Sequence, residues 1–281
     1  MTAKLRQILD ADLIPLEKNS VTQMLKGYSL RFNAPVIVKI FAEEFYDQYA
    51  LEKAVLEHLQ RPILLAQKVV TEKNIYILVQ PDTNLVTLST PLTVTTAYKM
   101  GVSVNELHQK LLDFKQAPQQ HSFQRNIYLI KKVTAADLQQ QLLKLEELFQ
   151  RYHSYLERDL DHGTTITLHG NISQDKFKQQ QDQLLLVDFE HVCQGLAYQD
   201  FVKLFYQDFQ LQENLIKSFL LGYQQKGSQL APLLITRNFL VFTTAIQLLH
   251  QSQNVHERQQ YQMALKMIAD VQDYFATRKI H

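Results

Sequence analysis

The dominant spacing of apolar residues differs between the two halves of this chain. Before about residue 80 they alternate with polar ones, and from about residue 92 they recur every three or four positions. A period of two fits a strand with one buried face, whereas a period near 3.6 fits an amphipathic helix. Strands are expected in "DLIPLEK", "VTQMLKGYSLRF" and "PVIVKIF", separated by the turn-forming "NS" and "NAP". A helix follows in "AEEFYDQYALEKAVLEHLQ", where Phe45, Tyr49, Leu56 and Leu59 recur at helical spacing. Two more strands are expected in "AQKVVTE" and "NIYILVQ", with a hairpin at Lys73 and Asn74. The order β-β-β-α-β-β describes a small sheet with one helix packed on it.

In the second half, helices are expected over 92–114, 134–158, 198–225, 231–250 and 254–278, each with an apolar face. One β-rich stretch, 164–193, interrupts them. The chain therefore reads as α+β, with a strand-rich N-terminal lobe at 1–80, a linker at 81–91 and a helical lobe at 92–281 that carries the 164–193 hairpin. With 281 residues it exceeds the usual size of a single core, which allows either one large domain or two lobes with a cleft; the element pattern points to the two lobes, and clefts between lobes are preferred ligand sites.

Composition narrows the function classes. A formal net charge of +1 with 20% charged residues gives no field for capturing nucleic acid or a membrane surface. The single cysteine, Cys193, excludes an internal disulfide framework, and a buried apolar role suits it better than that of a thiol nucleophile. The start "MTAKLRQILDADL" lacks the apolar core of a signal peptide, so a cytoplasmic location is expected. The stretch "APLLITRNFLVFTTAIQLL" carries Arg237 and Asn238 near its middle, which predicts a buried helix and no membrane span. His153, His162, His169 and His191 lack zinc-ligand spacing.

Two groups of residues have the chemistry of a site. Lys39 sits in the apolar run "VIVKIF" and must find a partner or reach water. Glu52, in the following helix, is placed to face the sheet and pair with it. Such a pair holds nucleotide phosphates in phosphoryl-transfer proteins; an edge-strand lysine that snorkels to solvent is the other reading. Further on, the apolar strand at Leu184–Val187 delivers Asp188 at its end. A carboxylate there suits magnesium, a hard cation shared with substrate phosphates, or else simply ends the strand. "HGN" at 169–171, taken alone, reads as an ordinary turn with a structural His169.

Together these stretches resemble the aminoglycoside phosphotransferase/choline kinase family, whose signature runs H-G-D-x-x-x-x-N, an apolar strand, D-[WF]-E, a Gly and an Asp that opens a helix. His169, Gly170, Asp188, Phe189, Glu190, Gly195 and Asp200 keep that order and spacing, and "VSVNELHQ" resembles the family's helix ending in Leu-His. The resemblance implies a two-lobed protein-kinase-like fold that binds ATP with Mg²⁺ in its interlobe cleft and phosphorylates a small-molecule hydroxyl. By the same resemblance Lys39 contacts phosphates, Glu52 orients it, Asp188 ligates metal and His169 supports the catalytic loop. The phosphate-covering loop would be "LEKNSVTQMLKG", with Asn19, Ser20 and backbone N–H groups as its contacts.

Two positions depart from the signature. Asn171 stands where the family has an Asp base, and an amide oxygen takes no proton at neutral pH. Lys176 stands where the family has a metal-binding Asn; it either repels a cation or replaces one, and Asp175 is a substitute ligand if the loop shifts by a residue. The leading expectation is ATP–Mg binding with reduced or atypical phosphoryl transfer. A fully active small-molecule kinase and a pseudokinase serving as a binding or regulatory module for a protein partner are the alternatives.

Overall fold

The structure, a computed structural model, describes residues 2–18, 22–70, 74–118, 123–162, 165–224, 232–254 and 258–277. Asn19, Ser20 and Lys73 lie outside the described residues. In chain order the elements begin with α1 (Thr2–Leu9), β1 (Ala11–Lys18), β2 (Thr22–Ser29), β3 (Ala34–Ala42), α2 (Tyr46–His58), β4 (Leu65–Val69), β5 (Ile75–Pro81) and β6 (Val86–Thr87). There follow α3 (Val94–Lys110), α4 (Phe123–Ile130), α5 (Ala136–Gln150), α6 (His153–His162), β7 (Ile166–Leu168), β8 (Phe177–Gln180), β9 (Gln183–Leu186) and β10 (Cys193–Gly195). The chain closes with α7 (Ala197–Gln207), α8 (Glu213–Gln224), α9 (Leu234–Asn254) and α10 (Arg258–Thr277).

These elements form two compact units. The first comprises Met1–Leu88, Lys110–Ala117 and Asp175–Val192; the second comprises Ser89–Gln109, Pro118–Gln174 and Cys193–His281. The 164–193 stretch, expected as one hairpin of the helical half, is thus divided. Its β8–β9 hairpin belongs with the first unit, where β6 pairs with β8, while β7 and β10 pair with each other in the second. Strand type was legible there, but strand partners depend on the register of distant segments.

The first unit is built on an antiparallel sheet of order β1-β2-β3-β5-β4. Alternation along β3 sends Val36, Val38 and Ile40 into an apolar cluster with Leu13, Leu25, Ile77 and Val79. Leu5 and Leu9, one helical turn apart on α1, join this cluster fully buried. Helix α1 was not expected, because eight residues with two core leucines are too short to display a period. On the opposite side of β3, Phe41 meets Tyr49 of α2 edge to face at 5.8 Å.

The second unit is helical. Helix α9 is buried nearly all round by Phe239, Leu240, Val241, Phe242, Ala245, Ile246, Leu248 and Leu249, which explains the membrane-like look of its sequence. Arg237 on that helix stacks over the Tyr198 ring at 5.5 Å. No helix among the described residues is long and apolar enough to cross a membrane. Two expected helices are each broken. The 134–158 stretch divides into α5 and α6, and 198–225 divides into α7 and α8, where Gln210 and Leu211 adopt left-handed conformations. Helices α3 and α8 approach so closely that a Cβ on Gly101 would overlap the Phe219 carbonyl oxygen, and one on Gly222 the Tyr98 carbonyl oxygen.

Candidate active site

The sheet of the first unit fixes the environment of Lys39. Strand β3 is central, flanked by β2 and β5, and Lys39 lies opposite Met24 on one side and Leu78 on the other. The residue is 4% exposed, so the edge-strand reading of this lysine is excluded. Tyr49, Val55 and Leu56 bury one face of α2, which turns Glu52 on that same face toward the sheet. Lys39 Nζ donates to Glu52 Oε1 at 2.6 Å and also to Asp188 Oδ1. Burial alone would depress the lysine pKa, but Glu52, then Asp188 and Glu190, outweigh it and hold the ammonium above its ordinary range.

A hairpin register brings Lys176 to the same carboxylate. Strands β8 and β9 pair Phe177 with Leu186, and the ladder continues one step further as Val187 N–H donates to the Lys176 carbonyl at 3.0 Å. The next residue, Asp188, adopts φ 66°, a left-handed conformation that costs a non-glycine residue about 1–2 kcal/mol. Lys176 Nζ donates to Asp188 Oδ2 at 2.8 Å and lies 3.1 Å from Asp175 Oδ2. Burial acts to raise the Asp188 pKa, yet Lys39 and Lys176 together hold it well below the usual carboxylate range. Arg61 Nη1 donates to the Leu186 carbonyl at 2.6 Å and its guanidinium lies 5.0 Å from the Phe189 ring centre, securing the end of β9. Sequence reasoning missed Arg61, which carries no local signal. Glu190, matched to the signature but given no role, is buried beside this group; burial pushes its carboxyl up to about 7, with Lys39 opposing.

The second unit holds the 169–171 loop by a network centred on Asp200, near the start of α7. The backbone N–H of His169 donates to Asp200 Oδ2 at 2.7 Å and that of Gly170 to Oδ1 at 2.8 Å. His108 on α3 lies 3.0 Å from Oδ2 through Nε2 and 2.9 Å from the Tyr223 hydroxyl through Nδ1. Because an ionised carboxylate only accepts, the proton of that first contact belongs to His108. Gly170 takes φ 79°, where a side chain would be strained. These bonds tie the "HG" backbone, Asp200 and His108 of α3 into one network. Asn171 Oδ1 accepts from Lys203 Nζ at 2.7 Å, and Lys203 sits three residues after Asp200 on one face of α7. That lysine was also missed; its only signal was the i, i+3 spacing from Asp200.

The sequence profile of the phosphotransferase enzyme family matches residues 26–233. The chain belongs to that family. No curated protein matches it by sequence. Its fold, the kinase-like α+β fold, is similar to that of amicoumacin kinase hAmiN in complex with AMP-PNP, Ca²⁺ and Ami, with a TM-score of 0.69, 13% identity and coverage of 93% of this chain and 88% of that one. Choline kinase LicA from Streptococcus pneumoniae gives a TM-score of 0.64 at 13% identity, covering 96% and 99%. A thermostable mutant of aminoglycoside phosphotransferase APH(4)-Ia, in ternary complex with ADP and hygromycin B, gives 0.69 at 11%, covering 96% and 97%.

In this member of the phosphotransferase family the residues around Asp188 do not fit the divalent ion that the resemblance implies. Both oxygens of Asp188 face ammonium groups, and a dication added there would lie beside two positive charges. Among the described residues no group of three or more His, Cys, Asp or Glu side chains is arranged to hold a metal. Asp175, the substitute ligand, faces Lys176 instead.

Proposed function

We propose that this phosphotransferase-family chain binds ATP at the Lys39–Glu52–Asp188–Lys176 group and transfers phosphate to a small-molecule hydroxyl at a strongly reduced or atypical rate. The observation that carries the reading is the buried Lys39–Glu52 pair with Asp188 drawn onto the same lysine. Lys39 serves the phosphates, Glu52 orients it, and His169 supports the loop that carries Asn171. The amicoumacin, choline and hygromycin B named for the similar structures support the class of acceptor, a small hydroxyl-bearing molecule. Loss of a general base costs typically 10²–10⁴-fold, about 3–5 kcal/mol of barrier. Positioning and charge neutralisation carry most of phosphoryl transfer, so this loss slows the reaction without abolishing it.

A pseudokinase that binds nucleotide without turnover is the second reading. It is favoured by one observation, the Lys203 ammonium on the Asn171 amide oxygen, which occupies the atom at the base position. Thermal-shift titration with ATP, followed by turnover assays with hydroxyl acceptors, separates the readings. A saturable shift with slow hydrolysis or transfer supports the enzyme, and a shift with no turnover supports the pseudokinase. Absence of any shift refutes both.

A further inference from the structure

We infer that Lys176 acts as a built-in substitute for a divalent cation, so that this chain binds a nucleoside triphosphate in its metal-free form. The inference rests on the nucleotide reading above and adds the ionic state of the ligand. A divalent ion in a phosphate site neutralises the carboxylate that holds it and presents positive charge to the phosphate oxygens. Lys176 meets both requirements from within the chain.

Its ammonium lies 2.8 Å from Asp188 Oδ2, while Lys39 takes Oδ1, so the carboxylate is compensated without any added ion. The position is fixed by the fold: the Lys176 carbonyl accepts from Val187 N–H at 3.0 Å, which keeps the side chain beside Asp188. The lysine is 8% exposed, so the ammonium has left most of its water and depends on Asp188 and Asp175.

Donor arithmetic completes the case. An ammonium carries three N–H groups, and among the described residues two on Lys176 face Asp188 and Asp175, while two on Lys39 face Glu52 and Asp188. One N–H on each lysine is left for an acceptor-only ligand, and a polyphosphate offers such oxygens in a row. Lys39 and Lys176 stand against Glu52, Asp188 and Asp175, two positive charges and three negative, and both oxygens of Asp188 are already taken by the two ammoniums. A dication would have to displace the ammoniums from Asp188 before it could reach that carboxylate, whereas a phosphate oxygen would accept from their remaining N–H groups.

Calorimetric titration of the full chain with ATP, in EDTA and in excess MgCl₂, tests this. Wild type is expected to bind in EDTA with a Kd within about threefold of that in MgCl₂, or tighter. Lys176→Asn is expected to lose at least about tenfold in EDTA and to recover with Mg²⁺, while Lys176→Arg, which keeps the charge, stays near wild type in EDTA. Wild-type binding that appears only with Mg²⁺, or is about tenfold tighter with it, overturns the inference and leaves the nucleotide reading standing. So does a Lys176→Asn variant that binds in EDTA like wild type. No binding in either buffer overturns the nucleotide reading and this inference with it. Circular dichroism checks that the variants fold, and the wild-type comparison stands without them.

Discussion

Replacing Asp188 by Asn is the sharpest probe of how the first unit is held together. The change keeps the size of the side chain but removes the charge shared by Lys39 and Lys176, whose side chains are 5% and 10% exposed. Removing one member of a buried ion pair costs about 3–5 kcal/mol, because the remaining charge is left uncompensated. Here each lysine keeps a second carboxylate, Glu52 at 2.6 Å and Asp175 at 3.1 Å, which places the expected cost at the lower end, about 3 kcal/mol. At roughly 2–4 °C per kcal/mol for a chain of this size, the midpoint should fall by about 6–12 °C. The thermal melt should be repeated in a Lys176→Met background, where one ammonium is already gone and Asp188→Asn should cost distinctly less. A midpoint within about 2 °C of wild type, or an equal cost in both backgrounds, would refute the shared-charge account.

Other consequences can be checked separately. Lys39→Met should abolish the thermal shift produced by ATP, and a full shift in that variant would show that nucleotide binds elsewhere. Burial pushes the Glu146 carboxyl in the helical unit from 4.5 up to about 7, against hydrogen bonds from Asn126 and Gln150. The folded state then keeps its proton to higher pH than the unfolded chain, so stability should fall as pH rises from 4.5 through about 7, by up to about 3 kcal/mol. Urea midpoints of Glu146→Gln should lack that share of the pH dependence; identical profiles would contradict it. Gly101→Ala should destabilise the helical unit by about 1–3 kcal/mol, since its Cβ would overlap the Phe219 carbonyl oxygen and force α3 and α8 apart; an unchanged melt would argue against that close approach.

The sequence made the paired chemistry legible because local pattern and motif pointed the same way. Alternation in "VIVKIF" set Lys39 on the face opposite Val36, Val38 and Ile40, and the helical spacing of α2 turned Glu52 toward it. Other features were hidden because they depend on contacts between distant segments. Nothing near Lys39 says that β3 is the central strand, and no local feature of Arg61 announces its bond to the Leu186 carbonyl. Lys176 was legible as a departure, but its ammonium beside Asp188 follows from the β8–β9 register, which a residue-by-residue comparison does not contain. Short helices such as α1 and α4 span too few turns to show a period.

The central claim is that a phosphotransferase framework is retained here while the chemistry at two positions has changed. The double variant Asn171→Asp with Lys176→Asn, assayed for ATP turnover with Mg²⁺ and a hydroxyl acceptor panel, tests it most directly. The account predicts a rise of about 10²-fold or more over wild type, the lower end of what a restored base contributes. Turnover no higher than wild type, in a double variant that is folded and binds ATP, would contradict it.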